Sequence, residues 1–258
     1  MFNEEIEEVS KSAYKKVFLL KNNLMGYFFA AIIAGVYVSL GVTFAFSVGA
    51  MIHDFSAYKL ILGICFGVAL SLCAMAGAEL FTGNNFVVAV GINRKTVTFA
   101  DSVKLLVMCY LGNLVGSLLV VLLFFLGGFL KAGNIPEFFI ETANSKINLT
   151  PVEIITRAIM CNILVSAATW CGYRCKSESG KLIMIFWCIL AFITSSFEHS
   201  IANMSLLVIG LISPNSDISI SGILYNIPLA TIGNILGGAI FLAVPYLIIA
   251  KKGKNEQK

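Results

Sequence analysis

The stretch TSSFEHSIANM, residues 194–204, is the segment of this chain that decides its fold. It places Glu198 beside His199 between two apolar runs, LIMIFWCILAFI before the pair and SLLVIGLI after it. Two adjacent ionisable groups inside so apolar a segment need polar partners, because burying an unpaired charge is costly. The stretch therefore predicts a break in a buried helix, and the rest of the chain indicates which kind of protein contains it.

The composition is that of a polytopic membrane protein. Hydrophobic residues make up 58% of the chain and charged residues 12%, about half the charged fraction of a soluble domain. A membrane-crossing helix needs roughly 20 apolar residues, and long continuous runs of this kind exclude a β-barrel. We expect an all-α protein with six transmembrane helices, in the runs Leu24–Ile52, Leu60–Ala78, Leu105–Leu130, Ala158–Tyr173, Leu182–Ser213 and Ile218–Ala250.

The charges at the ends of these runs predict the topology. Most of the 18 Lys and Arg residues lie before the first run, after the second and fourth runs, and in the tail. Because cytoplasmic loops are enriched in Lys and Arg, both termini are expected in the cytoplasm of a cell with a bacterial-type plasma membrane. Three parts follow, namely an amphipathic helix at 1–22, a channel domain at 23–250 and a basic tail at 251–258.

The N-terminal helix is predicted from apolar residues at helical spacing, from Ile6 through Ala13 to Leu20. Two placements of this helix remain open. It lies either on the inner membrane surface or as a cap on neighbouring loops.

An internal duplication is visible in two motifs. AELFTGNN, 78–85, and FEHSIANM, 197–204, each place an asparagine five residues after a glutamate. LGNLVGS, 111–117, matches IGNILGG, 232–238, at nearly the same distance from the first motif. Two matches in one order indicate repeats, at about 23–131 and 146–250. Three crossings per repeat invert the second copy, an arrangement known from channels and transporters.

Each repeat is expected to contain one broken helix, the second and the fifth of the chain. We expect the breaks at ELFTGNN and FEHSIAN, because glycine and asparagine favour non-helical backbone. Irregular backbone at membrane depth has to be buried in protein or line a wet cavity. Glu79 and Glu198 are therefore expected to hold the broken backbone, with contact to a solute as the alternative. In the GNxxG motifs, glycines are expected to allow close helix packing, and Asn113 and Asn234 to give polar support.

These motifs and the six-helix pattern resemble the formate/nitrite transporter family over about residues 5–250. The resemblance implies an aquaporin-like protomer in a homopentamer in the bilayer, each protomer passing small monovalent anions. We expect no cofactor, no metal and no nucleic-acid partner. The Asn-Pro-Ala motif of aquaporins is absent from the chain.

The resemblance also implies roles for individual residues. His199 and Thr82 would face each other at the pore centre, and Lys146 would attract anions in an outer vestibule. Leu70 and Leu80 would form the cytoplasmic constriction. The remaining residues implied are the outer constriction, Phe66, Phe81 and Phe192, and the polar support, Glu79, Glu198, Asn113, Asn162, Asn203 and Asn234.

The expected solute is an anion that loses water at the two apolar constrictions and then contacts His199. There, His199 acts either as a proton donor or as a neutral hydrogen-bond donor. The chain most resembles the hydrosulfide branch of the family, and formate and nitrite are the alternatives. An enzyme is not expected, because two histidines and no G-x-S-x-G, H-E-x-x-H or E-x-x-H motif leave no catalytic constellation. A proton-coupled secondary transporter fits the same residues as a channel.

Overall fold

A computed structural model of the chain describes residues 1–131 and 133–250, so the tail predicted at 251–258 lies outside the described residues. Those residues are almost entirely helical. The α-helices in chain order are α1 Asn3–Asn22, α2 Leu24–Ile52, α3 Tyr58–Met75, α4 Phe81–Asn93, α5 Phe99–Leu126, α6 Ile135–Ile147, α7 Pro151–Arg174, α8 Glu178–Thr194, α9 Ser200–Ile212, α10 Ile220–Leu236 and α11 Ala243–Ile249. A 3₁₀ turn, Phe129–Lys131, follows α5, and a π-helical turn, Gly237–Leu242, joins α10 to α11.

The helices form the six expected crossings. Within the described residues, five segments are long and apolar enough to cross a membrane, namely α2, α3, α5, α7 and the run from α10 to α11. The fifth crossing is divided between α8, with 17 residues, and α9, with 13. The second crossing is likewise divided between α3 and α4. The all-α membrane fold with broken second and fifth crossings is confirmed.

The two half-helices α4 and α9 begin inside the membrane. Each has 13 residues and is therefore about 20 Å long, shorter than the roughly 30 Å hydrocarbon core. The far end of α4 reaches α1, where Arg94 lies 3.8 Å from Glu7. The N-terminus of α4 is therefore at membrane depth, and the inverted repeat gives α9 the same placement from the other side.

The breaks lie earlier in the chain than the glycine and asparagine residues indicated. The first covers 76–80 and the second 195–199. The predicted loop residues FTGNN open α4 instead, and the Asn84 amide donates to the Leu80 carbonyl at 3.0 Å. The Asn84 side chain donates to the side chains of Tyr27 and Glu79, so it does not compete for the helical backbone. Left-handed backbone occurs at Gly77, φ 79°, and at the equivalent Ser196, φ 56°.

The repeat extends further than its predicted limits, because α1 corresponds to α6. Ala13 of α1 packs against Gly91 of α4, where an added Cβ would lie 2.6 Å from the Ala13 Cβ. Ala143 of α6 packs against Gly210 of α9 in the same way, at 2.7 Å. The apolar face of α1 is buried against the protein, as in the alternative of a helical cap. Each repeat therefore begins with a helix that lies on its own half-helix.

The glycines of the GNxxG motifs allow close helix packing, as expected. A Cβ added at Gly112 of α5 would lie 2.5 Å from the Cβ of Ala31 of α2. A Cβ added at Gly233 of α10 would lie 2.5 Å from the Cβ of Ala158 of α7. Any larger residue at these glycines would separate two helices that position the breaks.

Candidate functional site

Asn113 of α5 holds the first break by three hydrogen bonds. Its Oδ1 accepts from the backbone N–H of Phe81 at 3.0 Å. Its Nδ2 donates to the carbonyls of Ala31 at 2.8 Å and Glu79 at 2.9 Å. Asn113 is fully buried, so water does not compete for these hydrogen bonds. One side chain thus satisfies both a donor and an acceptor that the break leaves unpaired.

Asn234 of α10 makes the same three bonds at the second break. Its Oδ1 accepts from the N–H of Ser200 at 2.9 Å. Its Nδ2 donates to the carbonyls of Ala158 at 2.8 Å and Glu198 at 3.0 Å. The duplication seen in the sequence is therefore reproduced bond by bond in the structure.

Glu79 uses its carboxylate to bind side chains and not the broken backbone. Lys16 of α1 donates to its Oε1 at 2.6 Å and to its Oε2 at 2.7 Å, and Asn84 donates to Oε2 at 2.9 Å. Burial lowers the pKa of Lys16, but the carboxylate of Glu79 more than offsets this, so the pKa lies above its ordinary value. The pair ties α1 to the first break.

Glu198 makes the equivalent cluster at the second break. Lys146 of α6 donates to its Oε1 at 2.6 Å. Asn203 and Asn226 donate to its Oε2 at 2.7 and 3.2 Å. Glu198 is 1% exposed, so its charge is compensated almost entirely by protein. Lys146 is accordingly an ion-pair partner in this structure, and its charge is not free in the way that the sequence suggested.

His199 is the N-cap of α9 and contacts Thr82 across the repeat axis. Its Nδ1 accepts from the backbone N–H of Ala202 at 3.1 Å. Its Nε2 lies 3.2 Å from the Thr82 hydroxyl. A nitrogen that accepts from an N–H carries no hydrogen, so the neutral ring has its hydrogen on Nε2, pointing at Thr82. Leu80, at the equivalent position, has no side-chain capping bond.

Two of the three outer-ring aromatics lie together beside His199. The rings of Phe66 and Phe192 meet edge to face with centroids 5.9 Å apart. Phe192 stacks on the imidazole of His199 at 5.8 Å. Phe81, expected in the same ring, packs instead against Tyr110 of α5 at 5.0 Å.

Asn162 of α7 connects the centre to the second break. Its Nδ2 donates to the carbonyl of Thr82 at 3.1 Å and to that of Asn234. Since Thr82 faces His199, this bond sets the height of the hydroxyl relative to the imidazole.

Two cavities approach this centre from opposite sides. A cavity of about 760 Å³ on the α1 side is lined by residues that include Lys16, Leu70 and Leu80. A cavity of about 300 Å³ on the α6 side is lined by residues that include Lys146 and Glu198.

The space between the two cavities is closed by side chains. His199, Thr82, Phe66 and Phe192 line neither cavity, and each is at most 4% exposed. The geometry is that of two vestibules separated by a short, mainly apolar barrier with one polar pair in it.

Lys16 is the main residue that sequence reasoning missed. It occupies the position in α1 that Lys146 occupies in α6, and a signal for this exists in the chain. Each lysine is the fourth residue of a five-residue pattern, namely alanine, two variable residues, lysine and an aliphatic residue: AYKKV at 13–17 and ANSKI at 143–147. Asn226 was also missed, since nothing near it in the sequence indicates that it contacts Glu198.

An inverted pair of broken helices around a closed centre, with a vestibule on each side, defines a membrane channel or transporter. A sequence model of the family described as "Formate/nitrite transporter" matches residues 3–248. The chain belongs to the formate/nitrite transporter family, whose members are transporters and channels and not enzymes.

Relatives of known name agree with this family. The nitrite transporter NirC of Salmonella typhimurium is 33% identical over 256 residues, covering 99% of this chain and 94% of that protein. The formate channel FocA of Escherichia coli is 32% identical over 244 residues, covering 86% of this chain and 85% of that protein.

Solved structures agree as well. A structure described as an FNT family ion channel superposes with a TM-score of 0.92 at 33% identity, covering 97% of this chain and all of that one. A pentameric formate channel with formate bound superposes with a TM-score of 0.78 at 25% identity, covering 94% of this chain and 99% of that one.

Proposed function

We propose that the chain forms a channel for a small monovalent anion that is the conjugate base of a weak acid, with hydrosulfide as the first candidate. The observation that carries this proposal is the buried pair of His199 and Thr82, 3.2 Å apart, between two separate cavities. A barrier that offers one pair of hydrogen-bonding side chains suits a small solute that crosses with little or no charge.

At the centre, His199 acts as a neutral hydrogen-bond donor through Nε2. The support is its Nδ1, which accepts from the Ala202 amide at 3.1 Å. A second proton on the ring would sit on Nδ1 and face that N–H, so the imidazolium would lose the cap of α9. Of the two roles left open by the sequence, the donor of a hydrogen bond fits the geometry better than the donor of a proton.

The apolar side chains flanking this centre favour a neutral solute. Phe66 and Phe192 on one side and Leu70 and Leu80 on the other offer no polar atoms, and a bare charge among them would cost several kcal/mol. An anion that takes a proton from hydronium in a vestibule, leaving water, crosses as the neutral acid. It regains its charge by giving a proton to water in the opposite vestibule.

The vestibules differ in charge, and this difference favours anions on the α6 side. The α6-side cavity is lined by Lys59, Lys146 and Arg157 against Glu141 and Glu198, a net charge of +1. Because Lys146 is paired with Glu198 at 2.6 Å, we assign anion attraction chiefly to Arg157 and Lys59.

The α1-side cavity has the opposite balance. Its lining includes Lys16 and Lys181 against Glu8, Glu79 and Glu178, a net charge of −1. With both termini in the cytoplasm, as the loop charges predict, the more positive vestibule faces outward. The N-termini of α4 and α9 add a positive potential at the centre from both directions.

Hydrosulfide suits such a barrier because it is small and is readily protonated near neutral pH. Nitrite and formate are supported by the names of the relatives, a nitrite transporter and a formate channel. We also propose a homopentamer, as in the pentameric formate channel of similar structure.

The test is a side-by-side measurement of hydrosulfide, nitrite and formate flux into proteoliposomes that contain the purified protein. Hydrosulfide flux should exceed the other two at equal concentration and pH. Nitrite or formate greatly outrunning hydrosulfide would reassign the solute. Accumulation against a gradient, driven by an imposed proton gradient, would identify a coupled transporter instead of a channel.

His199→Asn in the same assay separates the two histidine roles. Asparagine keeps a donor amide but holds no titratable proton. A neutral-donor histidine predicts retained flux with the pH profile of the unmodified protein, whereas a proton-donating histidine predicts a flattened profile.

A further inference from the structure

A groove with two parts lies on the protein surface at the α1 side, away from both vestibules. Its upper part, about 530 Å³, lies between α1 and the turn joining α4 to α5, and its lining includes Tyr14, Phe18 and Lys95. Its lower part, about 420 Å³, runs along α5 past Val107 and includes Lys104. Lys21 and Asp101 line both parts, so the two parts adjoin at this ion pair.

The groove is positively charged, and its lower part has an apolar floor. The lower part is floored by Leu20, Leu24, Val103, Val107 and Met108. The charged groups facing the groove are Lys21, Lys95, Lys104 and Asp101, a net charge of +2. Lys21 is bound to Asp101 at 2.8 Å, which leaves Lys95 and Lys104 to attract an anion.

The aromatic side chains place the upper part at the membrane surface. Tyr14 is 54% exposed, Phe18 55% and Phe99 72%. Aromatic side chains are enriched where headgroups meet hydrocarbon, and the apolar floor along α5 runs from there into the hydrocarbon layer.

Lys95 and Lys104 can be compared with the residues at the corresponding positions of the second repeat. Thr98 caps α5 and Ser219 caps α10 in the same way, so the position of Lys104 corresponds to Tyr225. Lys95 has left-handed backbone, φ 61°, and the left-handed residue in the corresponding turn after α9 is Asn215, also φ 61°. Asparagine is the better residue for this conformation. Helix capping and turn geometry therefore do not require these two lysines. They lie on the side where Lys and Arg are enriched, and at this position they can attract an anionic ligand.

We propose that the groove binds an anionic phospholipid. Lys95 in the upper part and Lys104 in the lower part attract its headgroup, and one acyl chain lies along the apolar floor beside α5. Charge complementarity favours this occupant over the same groove of a second copy of the chain. The copy's corresponding surface would bring the same net positive charge to any contact of this groove with itself. Lysines at this depth attract anionic lipids on cytoplasmic membrane surfaces.

The experiment is native mass spectrometry of the purified full-length protein with equimolar phosphatidylglycerol and phosphatidylcholine. The variant Lys95→Asn/Lys104→Gln is compared with Lys11→Gln/Lys176→Gln, which removes two exposed lysines outside the groove. Each lysine near a membrane surface contributes about a fivefold factor to anionic-lipid binding. The groove variant should therefore lose its phosphatidylglycerol preference by roughly tenfold or more, and the control variant should retain it.

Three results would overturn the proposal. One is an unchanged phosphatidylglycerol preference in the groove variant. Another is dissociation of the oligomer with unchanged lipid binding, which would make the groove a subunit contact. The third is displacement of the lipid by millimolar inorganic phosphate, which would make it a site for a soluble anion. Melting temperatures equal to that of the unmodified protein check that both variants fold, and Lys95→Asn is chosen because asparagine tolerates the backbone there.

Discussion

Breaking the buried ion pair at the second break should destabilise the protein more than breaking its counterpart at the first. In Lys146→Met the Glu198 carboxylate, 1% exposed, loses the cation at 2.6 Å and keeps only the amides of Asn203 and Asn226. Removing one partner of a buried pair costs about 3–5 kcal/mol. The two remaining amide donors place the expected loss near the lower end, at about 3 kcal/mol.

The matched variant is Lys16→Met, which breaks the pair with Glu79. The side chains of that pair are 19% and 14% exposed, so water can solvate the carboxylate left behind. We expect a loss of about 1–2 kcal/mol there, since solvent screening weakens such pairs.

Thermal unfolding in detergent at one scan rate measures the difference. One kcal/mol corresponds to roughly 2–4 °C for a chain of about this size, so Lys146→Met should lower the melting temperature by roughly 6–12 °C. Adding Glu198→Gln to Lys146→Met should recover much of this loss, because no charge is then stranded. An equal loss in the single and double variants would refute the reasoning, and so would a larger loss in Lys16→Met than in Lys146→Met.

Three further predictions follow from the breaks and the vestibules. Asn234→Ala strands the Ser200 amide and the Glu198 carbonyl at the break, so it should cost at least about 2 kcal/mol in denaturant unfolding. Asn113→Ala, with equivalent bonds, should match it within about 1 kcal/mol, and a near-neutral result for either would contradict the role of these asparagines in holding the breaks. Ser196→Gly relieves a left-handed non-glycine residue, φ 56°, and should raise the melting temperature by roughly 1–2 °C; a fall would mean that the hydroxyl is needed. Arg157→Gln should lower anion flux several-fold at low salt and little at about 1 M salt, and a salt-independent loss would point to a structural role.

Much of the fold could be predicted because it depends on patterns local to the sequence. Apolar runs of membrane-spanning length, one charged pair within a run and two repeated motifs are sufficient for six crossings and an inverted repeat. The family resemblance carried by the same motifs is confirmed by the match over residues 3–248. The hydrosulfide assignment rests on overall likeness, and the flux measurement remains its test.

The positions of the breaks could not be predicted from such local patterns. Gly83 and Asn84 favour loops on average, yet both are helical here. The difference arises because the first amide of α4, that of Phe81, is accepted by Asn113, 32 residues away. Such a distant acceptor lets the helix begin earlier than local preferences allow.

Sequence alone determined that the chain spans a membrane six times, that its two halves are inverted copies, and that His199 has no counterpart in the first half. Only the tertiary structure decided that Lys16 and Lys146 are equivalent ion-pair partners and that His199 presents Nε2 to Thr82. The physical reason is that hydrophobic burial is recorded in the composition of each segment. The partner of a buried polar group, in contrast, depends on which distant helices the packing brings within 3 Å.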